Sequence, residues 1–294
     1  MAPAFHLFLP QMRMTHDAIV ERAQAAEAAG FEGIAFMDHL APPMAADQDM
    51  WEAMSTAAWV LAHTSELQVG HLVLCDSMRH PAVLARQVTS LDHASGGRFE
   101  LGIGWGSVPE ELEVFGVGST DAKARVGRLG ESLEVVRRLW TGDVVDFEGE
   151  HFSLRGAQQR PVPTRRIPIT IGGVGRRTLE LVQRHADWWN VPVHELHRLD
   201  DLRDRVGEAR VSTQLRLALL PDESHRDEVV ETLRRRFGDT VMGTRALIGT
   251  AHQLAEHLHE QHERGVDRFS CWFTDFAPVS TLERFGQVIA ALSD

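Results

Sequence analysis

Only two cysteines, Cys75 and Cys271, stand in 294 residues, too few for a disulfide framework. No run of about 18 apolar residues occurs, so the sequence offers no helix able to span a bilayer. No basic-then-apolar leader precedes the first apolar run, which makes the cytoplasm the default expectation. Positive charge is scarce as well: 30 Lys and Arg face 42 Asp and Glu, a formal net charge of −12. That balance argues against nucleic acid as a partner and against an anionic membrane surface. The G-x-S-x-G nucleophile elbow, the Walker loop and the H-E-x-x-H zinc signature are all missing. The densest histidine set, His257, His259 and His262 with Glu256 and Glu260, reads as the solvated face of a helix, and no metal is expected. Repeats, low-complexity tracts and flexible linkers are absent too, so one domain over 1–294 is expected.

What the sequence does hold is a regular alternation of short apolar runs and amphipathic segments. Strands are expected at 5–9, 33–37, 67–74, 98–103, 167–171, 187–191, 214–220 and 268–273. Helices are expected at 15–29, 51–64, 79–96, 122–140, 178–185, 195–208, 223–237, 251–264 and 279–292. The run Gly33-Ile34-Ala35-Phe36-Met37 shows no polar alternation, as parallel strands covered on both faces do. Eight strand-helix units predict an α/β fold, the (β/α)8 TIM barrel. Residues 142–165 break the period and read as a hairpin inserted between helix four and strand five. Gly70 inside the third strand predicts a bulge or a close ligand approach.

Functional residues of such a barrel lie just past the C-terminal ends of its strands. Asp38-His39 follows strand two, where His39 could act as a general acid or base or serve as a hydrogen-bonded structural residue. The loop 40–50, with Pro42, Pro43, Met44 and Met50, is long and apolar enough to be a substrate-facing lid. Cys75 reads as core rather than nucleophile. After strand four comes Gly102-Ile103-Gly104-Trp105-Gly106, with Ser107 as a helix N-cap, Pro109 in the first turn and Glu110 completing a capping box. This is not the dinucleotide fingerprint, because Ser107 stands where the third glycine belongs. A second loop, Gly172-Gly173-Val174-Gly175, precedes Arg176, Arg177 and a helix. It is either a phosphate site or a tight corner with two solvated arginines. Trp51, Trp105 and Trp272 could face a ring-shaped ligand.

Four segments carry a family resemblance: MDH (37–39), VGHLVLCDSMRHPAVLARQVTSLDHASGGRFELGIGWG (69–106), IPITIGGVGRRTLELVQRHADWWN (167–190) and IGTAHQLAEHLHEQHERGVDRF (248–269). With them the chain resembles the bacterial luciferase-like flavin and deazaflavin oxidoreductases over nearly its whole length. The resemblance implies a flat tricyclic cofactor at the C-terminal rim, a small-molecule substrate and a homodimer. An aspartate and histidine after strand two mark the deazaflavin branch, so Asp38 and His39 favour coenzyme F420, with FMN as the alternative. The resemblance gives His39 the acid/base role and puts a non-prolyl cis peptide at Leu72-Val73, behind the ring. His71 replaces the usual small hydroxyl residue beside that wall. Ser107 occupies the place of an acidic catalytic residue, which leaves Glu110 as the nearest carboxylate. Gly104, Trp105, Gly106 and Ser107 are expected against the cofactor, and Gly172, Gly173, Val174 and Gly175 at its phosphate. The expected activity is hydride transfer between F420 and a small organic substrate. The alternatives are a reduced-FMN-dependent monooxygenase and a non-catalytic cofactor-binding protein.

Overall fold

The computed structural model describes residues 2–43, 45, 47–238 and 246–293, and its chain alternates strands and helices from the start. Strand β1 (Ala4–Phe8) leads to helix α1 (His16–Ala28), β2 (Gly33–Phe36) to α2 (Ala53–His63), and β3 (Gln68–His71) with β4 (Leu74–Cys75) to α3 (Pro81–Ser95). Every residue of β1 and β2 is buried, which explains their apolar character, broken only by His6 in β1. The Thr15 side chain caps α1 by accepting the Ala18 N–H at 3.2 Å. Helix α3 has proline in its first turn and stops at Gly96, where φ is +67° and glycine adopts the left-handed conformation at low cost.

Next come β5 (Leu101–Gly104), α4 (Pro109–Val114) and α5 (Ala122–Leu139), then the hairpin β6 (Val145–Glu148) and β7 (Ser153–Ala157). The hairpin forms its own antiparallel pair outside the main sheet. Glu131 of α5 holds its tip by accepting the N–H groups of Glu150, His151 and Phe152 at 2.7–3.1 Å. The main path resumes with β8 (Ile169–Gly172), α6 (Arg176–His185), β9 (Trp188–Val191), α7 (Leu199–Arg203) and β10 (Arg210–Leu219). It ends with α8 (Arg226–Phe237), β11 (Leu247–Gly249), α9 (Ala251–Glu263), β12 (Arg268–Phe273) and α10 (Val279–Ser293).

The strands pair in the order β3-β2-β1-β12-β10-β9-β8-β5-β4, all parallel. Since β3 and β4 are halves of one barrel position, and Val69 bridges to Phe99 just ahead of β5, the ring closes on itself. This is the expected (β/α)8 TIM barrel. The third strand is interrupted at Leu72-Val73, close to the irregularity expected at Gly70, where a Cβ would stand 2.9 Å from the Glu100 carbonyl oxygen. Two local expectations fail. The short β11, which pairs with the end of β10, went unpredicted. The expected helix at 195–208 is a 3₁₀ turn (Val193–Arg198) followed by the short α7. Its buried residues Leu196, Leu199 and Leu202 recur every third position, a spacing that suits three residues per turn. Among the described residues no helix is long and apolar enough to cross a membrane.

The barrel interior is polar at one level. Arg268 of β12 pairs with Glu100 at 2.7 Å and lies 3.7 Å from the centre of the Trp188 ring. His6 and His71 line the same small cavity, of about 20 Å³. Burial pushes the His71 imidazole down to about 4 and holds His6 well below its ordinary value, with the Arg268 charge adding to the effect.

An acid sensitivity follows from these two rings. Below about pH 6.5 the unfolded chain protonates them while the folded chain keeps them neutral, so stability falls as pH falls, by up to about 1.4 kcal/mol per pH unit and per histidine. For His71 the fall levels off near pH 4. The urea midpoint of the protein should therefore drop between pH 7 and 5, and His71→Gln should drop less. Equal declines in the two proteins would remove His71 from the explanation.

Candidate active site

At the C-terminal ends of the strands a cavity of about 450 Å³ opens. Its walls come from the end of β2 (Met37, Asp38, His39), the strand break (Leu72, Val73), the loop after β5 (Gly104 to Ser107) and the loop after β8 (Gly172 to Gly175). Of the catalytic and cofactor residues read from the sequence, Glu110 lies off these walls, as do the ring-facing candidates Trp51 and Trp272. Glu110 is exposed, whereas Glu111 lines the cavity.

The reason is the start of α4. The expected capping box of Ser107 and Glu110 does not form: the helix begins at Pro109, its N-cap is Val108, and no side chain caps it. A start one residue later rotates each following side chain by about 100°, which turns Glu111 inward and Glu110 to solvent. Glu111 Oε2 lies 2.9 Å from His39 Nδ1, and Oε1 accepts the N–H groups of Leu40 at 2.5 Å and Ala41 at 3.1 Å. With Nδ1 occupied, Nε2 is the ring nitrogen of His39 left for the cavity.

Asp38 has a structural job. Its carboxylate accepts from both terminal nitrogens of Arg79, Nη1 on Oδ2 and Nη2 on Oδ1 at 2.9 Å, and Oδ2 also accepts the Cys75 N–H at 2.7 Å. Arg79 reaches Glu52 as well, at 3.0 Å. These bonds tie the end of β2 to β4 at a residue that also lines the cavity. Cys75 is buried, and burial pushes its thiol up, so it is a protonated core group at neutral pH.

Two glycines serve packing. A Cβ on Gly102 would stand 1.8 Å from the His71 carbonyl oxygen, and one on Gly104 would stand 2.8 Å from Val73 Cγ2. The close approach they permit is that of the third strand, whose Leu72-Val73 peptide bond is cis. The second glycine loop is arranged differently. The Gly173 N–H donates to the Asn190 carbonyl at 3.1 Å, its φ is +114°, and its carbonyl accepts the Trp189 ring N–H at 2.8 Å. Helix α6 then starts at Gly175 without a side-chain cap, leaving first-turn N–H groups available to an anion. Arg176 is exposed and pairs with Glu180 at 3.2 Å.

The tryptophans divide. Trp105 lines the cavity and carries Arg125 on its ring at 4.9 Å. Trp272 packs 5.5 Å from Phe8 in a small apolar cluster with Met12, Met37, Met50 and Leu72. Trp51 instead packs against His16, its ring centre 4.3 Å away and tilted by 40°, and its ring N–H donates to the Met14 carbonyl. The far end of the 40–50 loop is fastened by the bridge between Met12 and Met50, while Met44 lies outside the described residues. Among the described residues no cluster of three or more His, Cys, Asp or Glu is arranged to hold a metal.

A flat polycyclic cofactor with an anionic tail fits these walls. Leu72 and Val73 offer an apolar backing, the uncapped turn at Gly175 offers N–H groups, and His39 offers a titratable nitrogen.

Known proteins resemble this chain in sequence and in fold. The family described as luciferase-like monooxygenase matches this chain over residues 4–221. An uncharacterised protein of Mycobacterium tuberculosis is 33% identical over 204 residues, 64% of this chain and 69% of that protein. An F420-dependent glucose-6-phosphate dehydrogenase of Mycolicibacterium fortuitum is 35% identical over 174 residues, 58% of this chain. The chain spans about half (51%) of that dehydrogenase's length. Among solved structures, an F420-dependent secondary alcohol dehydrogenase in complex with an F420-acetone adduct superposes with a TM-score of 0.85 over the full length of both chains, at 20% identity. That likeness shows the fold.

The Asp38-Arg79 pair can be tested directly. Asp38→Asn removes the charge opposite a buried guanidinium and should lower unfolding stability by about 3 kcal/mol, read from the denaturant midpoint. A loss below about 1 kcal/mol, the worth of a surface pair, would contradict the structural role.

Proposed function

Since the chain belongs to the luciferase-like monooxygenase family, we propose that it is an oxidoreductase moving a hydride between coenzyme F420 and a small organic substrate. The observation that carries this reading is His39, one nitrogen taken by Glu111 and the other left to the cavity. A bound deazaflavin supplies or accepts the hydride, chemistry that no side chain here provides. Gly172, Gly173, Val174 and Gly175, with the first turn of α6, would hold its phosphate. Leu72 and Val73 would back its ring, with Gly104, Trp105, Gly106 and Ser107 along the adjacent wall.

The chain's own part is proton handling. When a carbon bearing a hydroxyl gives up a hydride, the hydroxyl proton must leave as well. His39 Nε2 takes it, and returns it in the opposite direction. An imidazole suits both tasks because its charge changes near neutral pH. The name of the mycolicibacterial relative supports F420, and the family's own description keeps a reduced-FMN monooxygenase as the second reading.

Titrating the protein with each cofactor separates them. Micromolar binding of F420 with weak binding of FMN is expected; tight FMN binding with oxygen-dependent turnover would overturn the assignment. His39→Ala should lower F420-linked turnover roughly 10²-fold or more while cofactor affinity stays within about threefold. Full activity in that variant would exclude His39 as the acid/base group.

A further inference from the structure

We propose that Glu111 is a positioning residue that sets two things at once: which nitrogen of His39 carries the proton, and where the root of the 40–50 loop lies. The inference rests on the acid/base reading of His39 but is measurable apart from it. One carboxylate grips three consecutive residues, with Oε2 on His39 Nδ1 and Oε1 on the N–H groups of Leu40 and Ala41. The Glu111 side chain is 8% exposed, so water competes little for these bonds.

An ionised carboxylate can only accept hydrogen bonds. Nδ1 must therefore be the donor, and in the neutral ring Nε2 carries the lone pair, the form a base at the cavity needs. The other oxygen acts on the backbone. The far end of the loop is fastened to the segment after β1, where the Arg13 N–H donates to the Asp49 carbonyl at 3.1 Å and the Trp51 N–H to the Gln11 carbonyl at 3.0 Å. Glu111, on the helix after β5, fastens the near end. The position next to the β5 glycines is Ser107, which cannot do this. Glu111, in the first turn of α4, supplies the carboxylate from four residues further along.

The two effects separate in the amide variant. In Glu111→Gln the remaining carbonyl oxygen can still accept from Leu40 and Ala41, but the NH₂ group now faces Nδ1. Nδ1 becomes an acceptor, and the ring proton moves to Nε2. A histidine held in the wrong tautomer is a poor base even when its position is kept. Two-dimensional ¹H–¹⁵N NMR of the histidine side chains, performed without cofactor, reads the tautomer directly.

The expected results are a proton on Nδ1 of His39 in the wild type, a proton on Nε2 in Glu111→Gln, and turnover reduced roughly 10²-fold or more in that variant. KM and cofactor affinity should stay within about threefold, because the loop root is kept. Glu111→Asp, still acceptor-only, should keep the wild-type tautomer and retain more turnover than Glu111→Gln. It serves as the test variant if Glu111→Gln does not fold. An unshifted tautomer in Glu111→Gln, or wild-type turnover in it, overturns the proposal, as does a shifted tautomer in Glu111→Asp. Failure of the acid/base reading itself would appear elsewhere, as full activity in His39→Ala, with the tautomer result unaffected.

Discussion

The molecule is arranged around a break in one strand. β3 ends at His71 and β4 begins at Leu74. Between them the chain passes so close to β5 that the His71 carbonyl oxygen occupies the space a side chain on Gly102 would need. Both edges of the break are fixed from β2: the Leu72 N–H donates to the Phe36 carbonyl at 2.9 Å, and the Cys75 N–H to Asp38. Because β5 carries glycine at 102 and 104, the displaced residues Leu72 and Val73 can form a cavity wall instead of colliding with the next strand. The floor of the site is thus a consequence of strand packing, with Gly102 making room for the His71 backbone and Gly104 for the Val73 side chain.

Buried charge around this break is neutralised in pairs. Asp38 pairs with Arg79, Asp76 with Arg128, and Glu100 with Arg268. Burial raises the Asp76 carboxyl, and the Arg128 guanidinium works against that rise. Such pairs add little net stability over an apolar core, since desolvation offsets much of the attraction. What they contribute here is placement: Arg128, on α5, also donates to the Arg79 carbonyl at 2.7 Å, tying that helix to the turn after β4. Glu111 differs in kind. Among the described residues its partners are a titratable ring and two N–H groups, so its charge is directed to the geometry of a proton acceptor.

The barrel is legible because most of its strands are short, largely apolar runs separated by amphipathic segments, and β2, β9 and β12 fall within a residue of their expected places. Local signals failed where a contact is remote or a register is tight. Arg79 lies 41 positions from Asp38, and nothing near Asp38 announces it, so the aspartate looked available to a cofactor. Glu110, not Glu111, is the sequence's candidate because it is the carboxylate nearest to Ser107, and the expected capping box puts both on the first turn of a helix starting from Ser107. The structure starts α4 one residue later, at a proline that suits the first helical position. In β11 the three residues Leu247–Gly249, between Ala246 and Thr250, are too few to show a period, and pairing with β10 makes them a strand. His39 was visible from its place after β2. Its tautomer was not, since a tautomer is set by a partner 72 positions away.

The same logic changes what Asp38 says about the cofactor. An aspartate rather than a glutamate before the histidine was the feature that favoured the deazaflavin. In the structure that carboxylate touches Arg79 and the Cys75 N–H and is 7% exposed. A glutamate there would add a methylene to a filled site, which forces neighbouring groups to shift. The groups available to shift are Arg79 and the first residues of β4, directly after Leu72 and Val73. What the carboxylate does in the structure is join the end of β2 to the first residues of β4, directly after the cavity wall of Leu72 and Val73, so the residue before His39 is also part of the support of that wall.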